Sequence, residues 1–266
     1  MRWEQTFLAA NTSSWSVLPA DGFLGLAFSS IADAGTKTLV ETLLGDGLLD
    51  NPRFALYYGR ELNDTGGAPG EGVLTIGASE EDKYVDGELT WIEPLQQLDG
   101  QYQLWRTNMV SLFSEGVSSN GSLGPIEFGG AWAVFDTGAG GITIPDSLAV
   151  SVYESIGMNW TAIISGQHIP LCSEFTSDWS VSFQFGDYAH PATITLTGDQ
   201  LARPGFADGS PDHCWPPFDT ESTEGLFLFG TPYLQQLYSV FDFGARELAA
   251  YNPRIGFGYL KKQFRP

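Results

Sequence analysis

The chain has 266 residues, of which 32 are acidic and 12 basic, for a formal net charge of −20. That balance argues against nucleic acid or anionic lipid as a partner, because both are held by clustered Lys and Arg. With 42% hydrophobic and 14% aromatic residues there is ample material for a core, so wholesale disorder is excluded, and no apolar run approaches the ~18 residues of a membrane span.

In chain order, the first informative pattern is Phe23-Leu24-Gly25, two apolar residues and a glycine, followed by a short helix predicted over 29–34. Residues 36–44 place Leu39, Leu43 and Leu44 at helical spacing. Residues 53–59 and 72–77 read as strands of a hairpin around a Gly-rich turn at 63–70. Strands are then predicted over 85–92, 131–135 and 179–185, the last with Val181, Phe183 and Phe185 alternating at period two against Ser and Gln. Residues 145–156 open with Pro and end before Gly157, the pattern of a short helix, and 231–237 form a third. The fold class is mostly β with small helices.

Leu228-Phe229-Gly230, followed by the helix at 231, repeats the arrangement begun at Phe23. Ahead of this second copy lies Ala133-Val-Phe-Asp136-Thr137-Gly138, an apolar strand ending in a carboxylate turn. No such element precedes the first copy. The chain reads as a two-lobed pseudo-repeat whose first lobe lacks its front. Residues 1–96 form the remnant of that lobe with an interlobe strand, and 97–266 a better-formed second lobe.

Asp136-Thr137-Gly138 is the strongest chemical signal. An apolar run that delivers a carboxylate to a turn places a charge where it must be hydrogen-bonded, and such sites are often functional. The alternative is an Asx-type turn that merely caps the strand. A second apolar strand, Ile142-Thr-Ile-Pro145, follows at once and favours function.

Cys172 and Cys214 offer one disulfide. Four of the asparagines, Asn11, Asn63, Asn120 and Asn159, open N-glycosylation sequons where about one is expected by chance. Both features favour a secretory route, yet the residues from Met1 to Phe7 are not a signal peptide, so either a leader has been removed or the chain starts within something larger. His168, His190 and His213 are scattered and no Cys-x-x-Cys occurs, so no metal is expected. No nucleotide-binding glycine pattern and no serine-nucleophile elbow occurs, so no cofactor is expected either.

Three ordered blocks resemble the pepsin-like aspartic peptidases. They are Asp21-Gly-Phe-Leu-Gly-Leu, the Ala133–Pro145 aspartate loop, and Leu228-Phe-Gly with the closing Val240-Phe-Asp-Phe-Gly and Arg254-Ile-Gly-Phe-Gly. The resemblance spans essentially the whole chain. It implies a bilobal β fold with a truncated first lobe, a disulfide between Cys172 and Cys214, and a secreted or vacuolar location. It also implies peptide-bond hydrolysis by two aspartates that share a proton and activate a water.

On that resemblance Asp136 is the second-lobe catalytic aspartate. Thr137 holds the loop through its hydroxyl, Gly138 permits close backbone approach, and Ala139 completes the loop. Val134 and Leu228 line the primed side of a substrate cleft, and Ala20 and Phe23 the unprimed side. Ala139-Gly140 depart from the hydroxyl residues usual after the aspartate. The first Asp-Thr-Gly and the flap, which precede the Asp21 block in the family, are missing. Asp64-Thr65-Gly66 is not a substitute: polar Arg60-Glu61 precede it and it lies in the hairpin turn. Two readings follow. The chain is part of an acid endopeptidase whose front is supplied by a missing N-terminal segment or chain, or it is a non-catalytic relative that keeps the fold for binding or inhibition.

Overall fold

The computed structural model describes residues 2–9, 11–12, 22–60, 72–116, 123–206 and 210–266. Its contacts divide into two compact units, Met1–Trp105 with Leu237–Pro266, and Arg106–Gln236. This partition differs from the expected 1–96 and 97–266. The closing strands, Leu237–Asp242 and Arg254–Tyr259, leave the second unit and complete the sheet of the first, where each is paired on both sides.

The first unit contains helix α1 (Leu39–Gly45), strands β1 (Arg53–Tyr57) and β2 (Val73–Ile76), helix α2 (Glu81–Tyr84) and β3 (Thr90–Ile92). The second contains β4 (Arg106–Glu115), β5 (Leu123–Phe135), β6 (Ile142–Pro145), helices α3 (Asp146–Ser155) and α4 (Trp160–Ile164), β7 (Ser180–Phe185), β8 (Ala192–Thr197), β9 (Asp219–Glu221), β10 (Leu226–Phe229) and helix α5 (Thr231–Leu234). Strands β11 (Leu237–Asp242) and β12 (Arg254–Tyr259) return to the first.

The chain is mostly β, as its turn-rich composition implied. The short helix expected over 29–34 is two 3-10 turns, Ser29–Ile31 and Asp33–Gly35. Strand β3 is shorter than the predicted 85–92, since Val85 follows a helical turn and pairs only with Leu260. Strand β4 was not expected. It runs through polar and apolar residues alike, because a central strand buries both faces.

In the first unit the sheet order is β2-β1-β11-β12-β3, antiparallel throughout. Every residue of β11 is buried, so its two faces serve two cores. Phe28, Phe54, Trp105, Phe241 and Phe243 pack as one aromatic group, with Phe54 stacked on Phe241 at 4.8 Å between ring centroids. Tyr57, Tyr84, Val240 and Leu260 belong to the other.

Arg53, Asp242 and Arg254 lie opposite one another on β1, β11 and β12. Asp242 is 2% exposed. Its Oδ2 accepts from Arg53 Nη2 at 2.7 Å and Arg254 Nη2 at 3.3 Å, and its Oδ1 accepts from the Gly244 N–H at 2.9 Å. A carboxylate this buried is tolerable only because all these donors converge on it.

In the second unit the order is β8-β7-β4-β5-β10-β6-β9. The pairs β5/β10 and β6/β9 are parallel and the others antiparallel. Val181, Phe183 and Phe185 are fully buried, as their alternation required, but Ser182 on the other face is also buried and bonds Thr195. Cys172 and Cys214 are joined by a disulfide.

Two outcomes test these assignments. Asp242→Asn should lower stability by about 2 kcal/mol in urea melts, because hydrogen bonds to a charged group are lost while both arginines keep some access to water. An unchanged midpoint would show that the trio behaves as a surface pair. The disulfide closes a loop with a sequence separation of 42, worth about 4 kcal/mol in the chain-entropy model. Denatured, unreduced protein should show no titratable thiol, and two reactive thiols would refute the bond.

Candidate functional site

Strand β5 changes character along its length. Its first half is largely exposed, whereas Ala131, Ala133 and Phe135 are buried against the core of the second unit. The strand ends where Asp136 emerges half-buried, and the chain turns through Thr137 and Gly138 into β6. The Gly138 N–H donates to Asp136 Oδ1 at 2.8 Å, an Asx-type turn. A Cβ at position 138 would sit 3.3 Å from that side-chain oxygen, tighter than an ordinary contact. The Asx turn occupies one carboxylate oxygen. Among the described residues, Oδ2 receives no hydrogen bond.

The loop after Asp136 is held by main-chain bonds from β10 and α5. Asp136 N–H donates to the Phe229 carbonyl at 3.0 Å, Gly230 N–H to the Gly141 carbonyl at 2.9 Å, and Thr231 N–H to the Ala139 carbonyl at 2.8 Å. A Cβ on Gly230 would lie 2.2 Å from the Ala139 oxygen and 2.5 Å from the Gly141 oxygen. Only glycine fits there. The Thr137 hydroxyl, expected to hold the loop, makes no hydrogen bond among the described residues. The backbone of 229–231 closes the loop in its place.

Arg203 and Asp219 also reach the loop, and the sequence did not single out either. Arg203, 8% exposed, donates from Nη1 to the Gly140 carbonyl at 2.8 Å and from Nη2 to the Pro216 carbonyl at 3.2 Å. Asp219, on edge strand β9, puts Oδ2 where a Gly141 side chain would stand, 1.9 Å from the ideal Cβ. Its carboxyl keeps access to water yet is desolvated enough to stand above the usual carboxylate range, and the Arg203 charge opposes that rise. The available signal was the Gly140-Gly141 pair itself, a conspicuous absence of side chains that another part of the chain could fill.

Val134 and Leu228 stand opposite each other across β5 and β10. The register continues to Arg106 on one side, and to Thr143 and Asp219 on the other, so these five form one row across the sheet. Phe23 belongs to the first unit and is 66% exposed. Ala20, Asn63, Asn120 and the Asp64-Thr65-Gly66 turn lie outside the described residues.

Asn11 and Asn159 are exposed, and Asn159 caps α4 by accepting from the Ala162 N–H at 3.0 Å. Each histidine has a separate neighbour: His168 pairs with Glu174, His190 with Asp187, and His213 with Ser210. Among the described residues no group of three acidic, His or Cys side chains is placed to hold a metal ion. No helix among them is long and apolar enough to cross a membrane.

A family model described as eukaryotic aspartyl protease matches residues 3–251. The chain is 26% identical to gastricsin of Mus musculus over 239 residues, which is 89% of this chain and 53% of that protein. It is 26% identical to pepsin A of Sus scrofa over 245 residues, or 90% of this chain and 56% of that protein. With rhizopuspepsin-3 of Rhizopus niveus it shares 35% identity over 140 residues, 52% of this chain and 31% of that protein. The chain thus spans about half the length of the first two of these relatives. The Asp136 loop, its close crossing by Gly230 and a family match over nearly the whole sequence agree: the chain belongs to the eukaryotic aspartyl protease family and is pepsin-like.

Proposed function

We propose that this chain carries half of an acid endopeptidase site, with Asp136 as one of two catalytic aspartates. The single observation that carries the reading is Asp136 at the end of a buried strand, with one oxygen tied to Gly138 and the other open. In the reaction, one carboxylate of the pair takes a proton from water as the oxygen attacks the scissile carbonyl carbon. The other, protonated, donates to the carbonyl oxygen. Collapse of the tetrahedral diol breaks the C–N bond as the departing nitrogen is protonated. One carboxyl cannot perform both transfers in the same step.

The partner aspartate enters on a missing N-terminal segment or chain. The pseudo-repeat supports this. In the second unit β10 is flanked on both sides, by β5 leading into Asp136 and by β6 leading away. The counterpart in the first unit, Phe23-Leu24-Gly25, belongs to neither sheet. Phe23 is 66% and Leu24 48% exposed, and a Cβ on Gly25 would meet nothing within 4 Å. Beside this segment lies an open groove of about 730 Å³, lined also by Phe7, Leu8 and Leu39. In this reading the groove receives part of a strand–aspartate–strand segment. Val134 and Leu228 in the second unit, and separately Phe23 and Ala20 in the first, are taken on the same reading to meet apolar side chains of a protein or peptide substrate, and the family relationship supports a secreted or vacuolar setting.

The alternative reading is a non-catalytic homologue that binds or inhibits, and a direct assay separates the two. At acid pH the 266-residue chain alone should not cleave denatured protein. Fused behind a segment from a relative that carries Asp-Thr-Gly and a flap, it should cleave between apolar residues. Asp136→Asn should then reduce turnover by about a thousandfold or more, as removal of one member of a catalytic unit does. Turnover by the chain alone, lost in Asp136→Asn, would sink the need for a partner segment. A folded fusion that binds a statine-type inhibitor without cleaving would favour the binding protein.

Glycosylation is tested separately. Asn159 uses Oδ1 for the helix cap, which leaves its amide nitrogen for a glycan. Expression through a secretory host should add a glycan to the Asn159 peptide. Asn159→Asp should abolish it while preserving the cap, since Asp accepts the same hydrogen bond. A peptide with no added mass would count against a secretory route.

A further inference from the structure

We infer that Arg203 and Asp219 brace the loop that carries Asp136, with Arg203 as a positioning residue of the site.

The loop needs restraint from outside itself. Gly140 and Gly141 are adjacent, and consecutive glycines retain more backbone freedom than any other pair. Ala139 and Gly140 supply no side-chain hydrogen bond of their own. The backbone of Gly230 and Thr231 grips one side of the loop. Arg203 takes the Gly140 carbonyl, and Asp219 fills the volume beside Gly141. A planar guanidinium suits this task, because it donates to the Gly140 and Pro216 carbonyls at fixed angles from one buried position.

Both brace residues are themselves anchored. The Trp215 N–H donates to the Arg203 carbonyl at 2.9 Å, and the next residue, Pro204, bridges to Cys214 of the disulfide. Asp219 follows Phe218, whose N–H donates to the Tyr153 hydroxyl while its carbonyl accepts from that hydroxyl. Tyr153 is fully buried in α3. Asp219 also pairs with Thr143 of β6, just past the loop. A rigid frame of disulfide, helix and strand therefore sets the position of a flexible loop. A buried cation behind that loop also offsets the charge of Asp219.

The importance of this brace for turnover rests on the peptidase reading, but its existence does not. The experiment therefore reads loop order first, on the 266-residue chain as it stands. Amide hydrogen exchange by NMR follows Gly230 and Thr231, which donate to the loop, with Phe183 and Ile194 in β7 and β8 as controls. Arg203→Met should raise exchange at Gly230 and Thr231 about tenfold with the controls unchanged, the mark of a local opening. It should also shift the Gly138 amide resonance, which reports the bond to Asp136. Arg203→Lys should recover part of the protection, since one ammonium cannot hold both carbonyls. Asp219→Asn keeps the volume and should disturb the loop less than Arg203→Met.

If Arg203→Met fails to fold, Arg203→Lys and Asp219→Asn carry the same readout. In the fusion with a complementary segment, Arg203→Met should lower kcat at least tenfold with KM unchanged. Protection and the Gly138 resonance unchanged across the folded variants would overturn the brace, whether or not the fusion cleaves. Lost protection in Arg203→Met beside a wild-type fusion that cleaves nothing would uphold the brace and defeat the peptidase reading.

Discussion

The site depends on how closely β10 and the start of α5 pass the loop after Asp136. Three consecutive residues, Phe229, Gly230 and Thr231, exchange main-chain hydrogen bonds with Asp136, Gly141 and Ala139. No side chain larger than hydrogen fits at position 230, where a Cβ would fall inside contact distance of two carbonyl oxygens. This crossing fixes where β5 must end and where β6 must begin. The half-buried Asp136 carboxylate sits at this crossing, and the Ala139, Gly140 and Gly141 carbonyls of the loop each accept from a donor outside it.

The two units treat the same short motif differently. Leu228-Phe229-Gly230 is packed between strands, and Phe229 is fully buried among Phe135, Phe183, Phe185 and Tyr233. Phe23-Leu24-Gly25 is exposed and joins no strand. The first unit is nevertheless well founded, because its sheet is completed from the far end of the chain. Strands β11 and β12 bring Asp242 and Arg254 against Arg53, and an ionic trio around the buried Asp242 joins three strands, its Arg53–Asp242 pair spanning 189 residues of sequence. Such a trio sets register more than it adds free energy, since desolvation offsets much of the attraction.

Polar side chains shape local structure in both units. Thr38 caps α1, and the buried Glu41 carboxylate three residues on accepts from Ser29 and Thr38, tying the 3-10 turn at 29–31 to the helix. In the second unit Tyr153 holds Phe218, and Arg203 spans Gly140 and Pro216. The large acidic excess lies elsewhere, mostly on solvated surface, where protonation at low pH would reduce self-repulsion.

By itself the sequence determined the fold class, the strands with clear period-two alternation, the aspartate loop and the pseudo-repeat. The alternation and the aspartate loop are each written within a dozen neighbouring residues, and the pseudo-repeat is a comparison of two such short blocks. Val181, Phe183 and Phe185 point one way because a strand has period two, and an apolar run that stops at Asp-Thr-Gly announces a turn with a purpose. Tertiary structure alone decided that the closing strands belong to the first unit, since pairing across some 190 residues leaves no local trace. It likewise decided that Gly230 N–H and Thr231 N–H, rather than the Thr137 hydroxyl, hold the loop, and that Arg203 and Asp219 support it. Those residues meet the loop only after strand order places β9 beside β6 and a backbone bridge sets Pro204 beside Cys214. A pair of glycines shows that space is needed there, but the residues that fill it are 63 and more positions away.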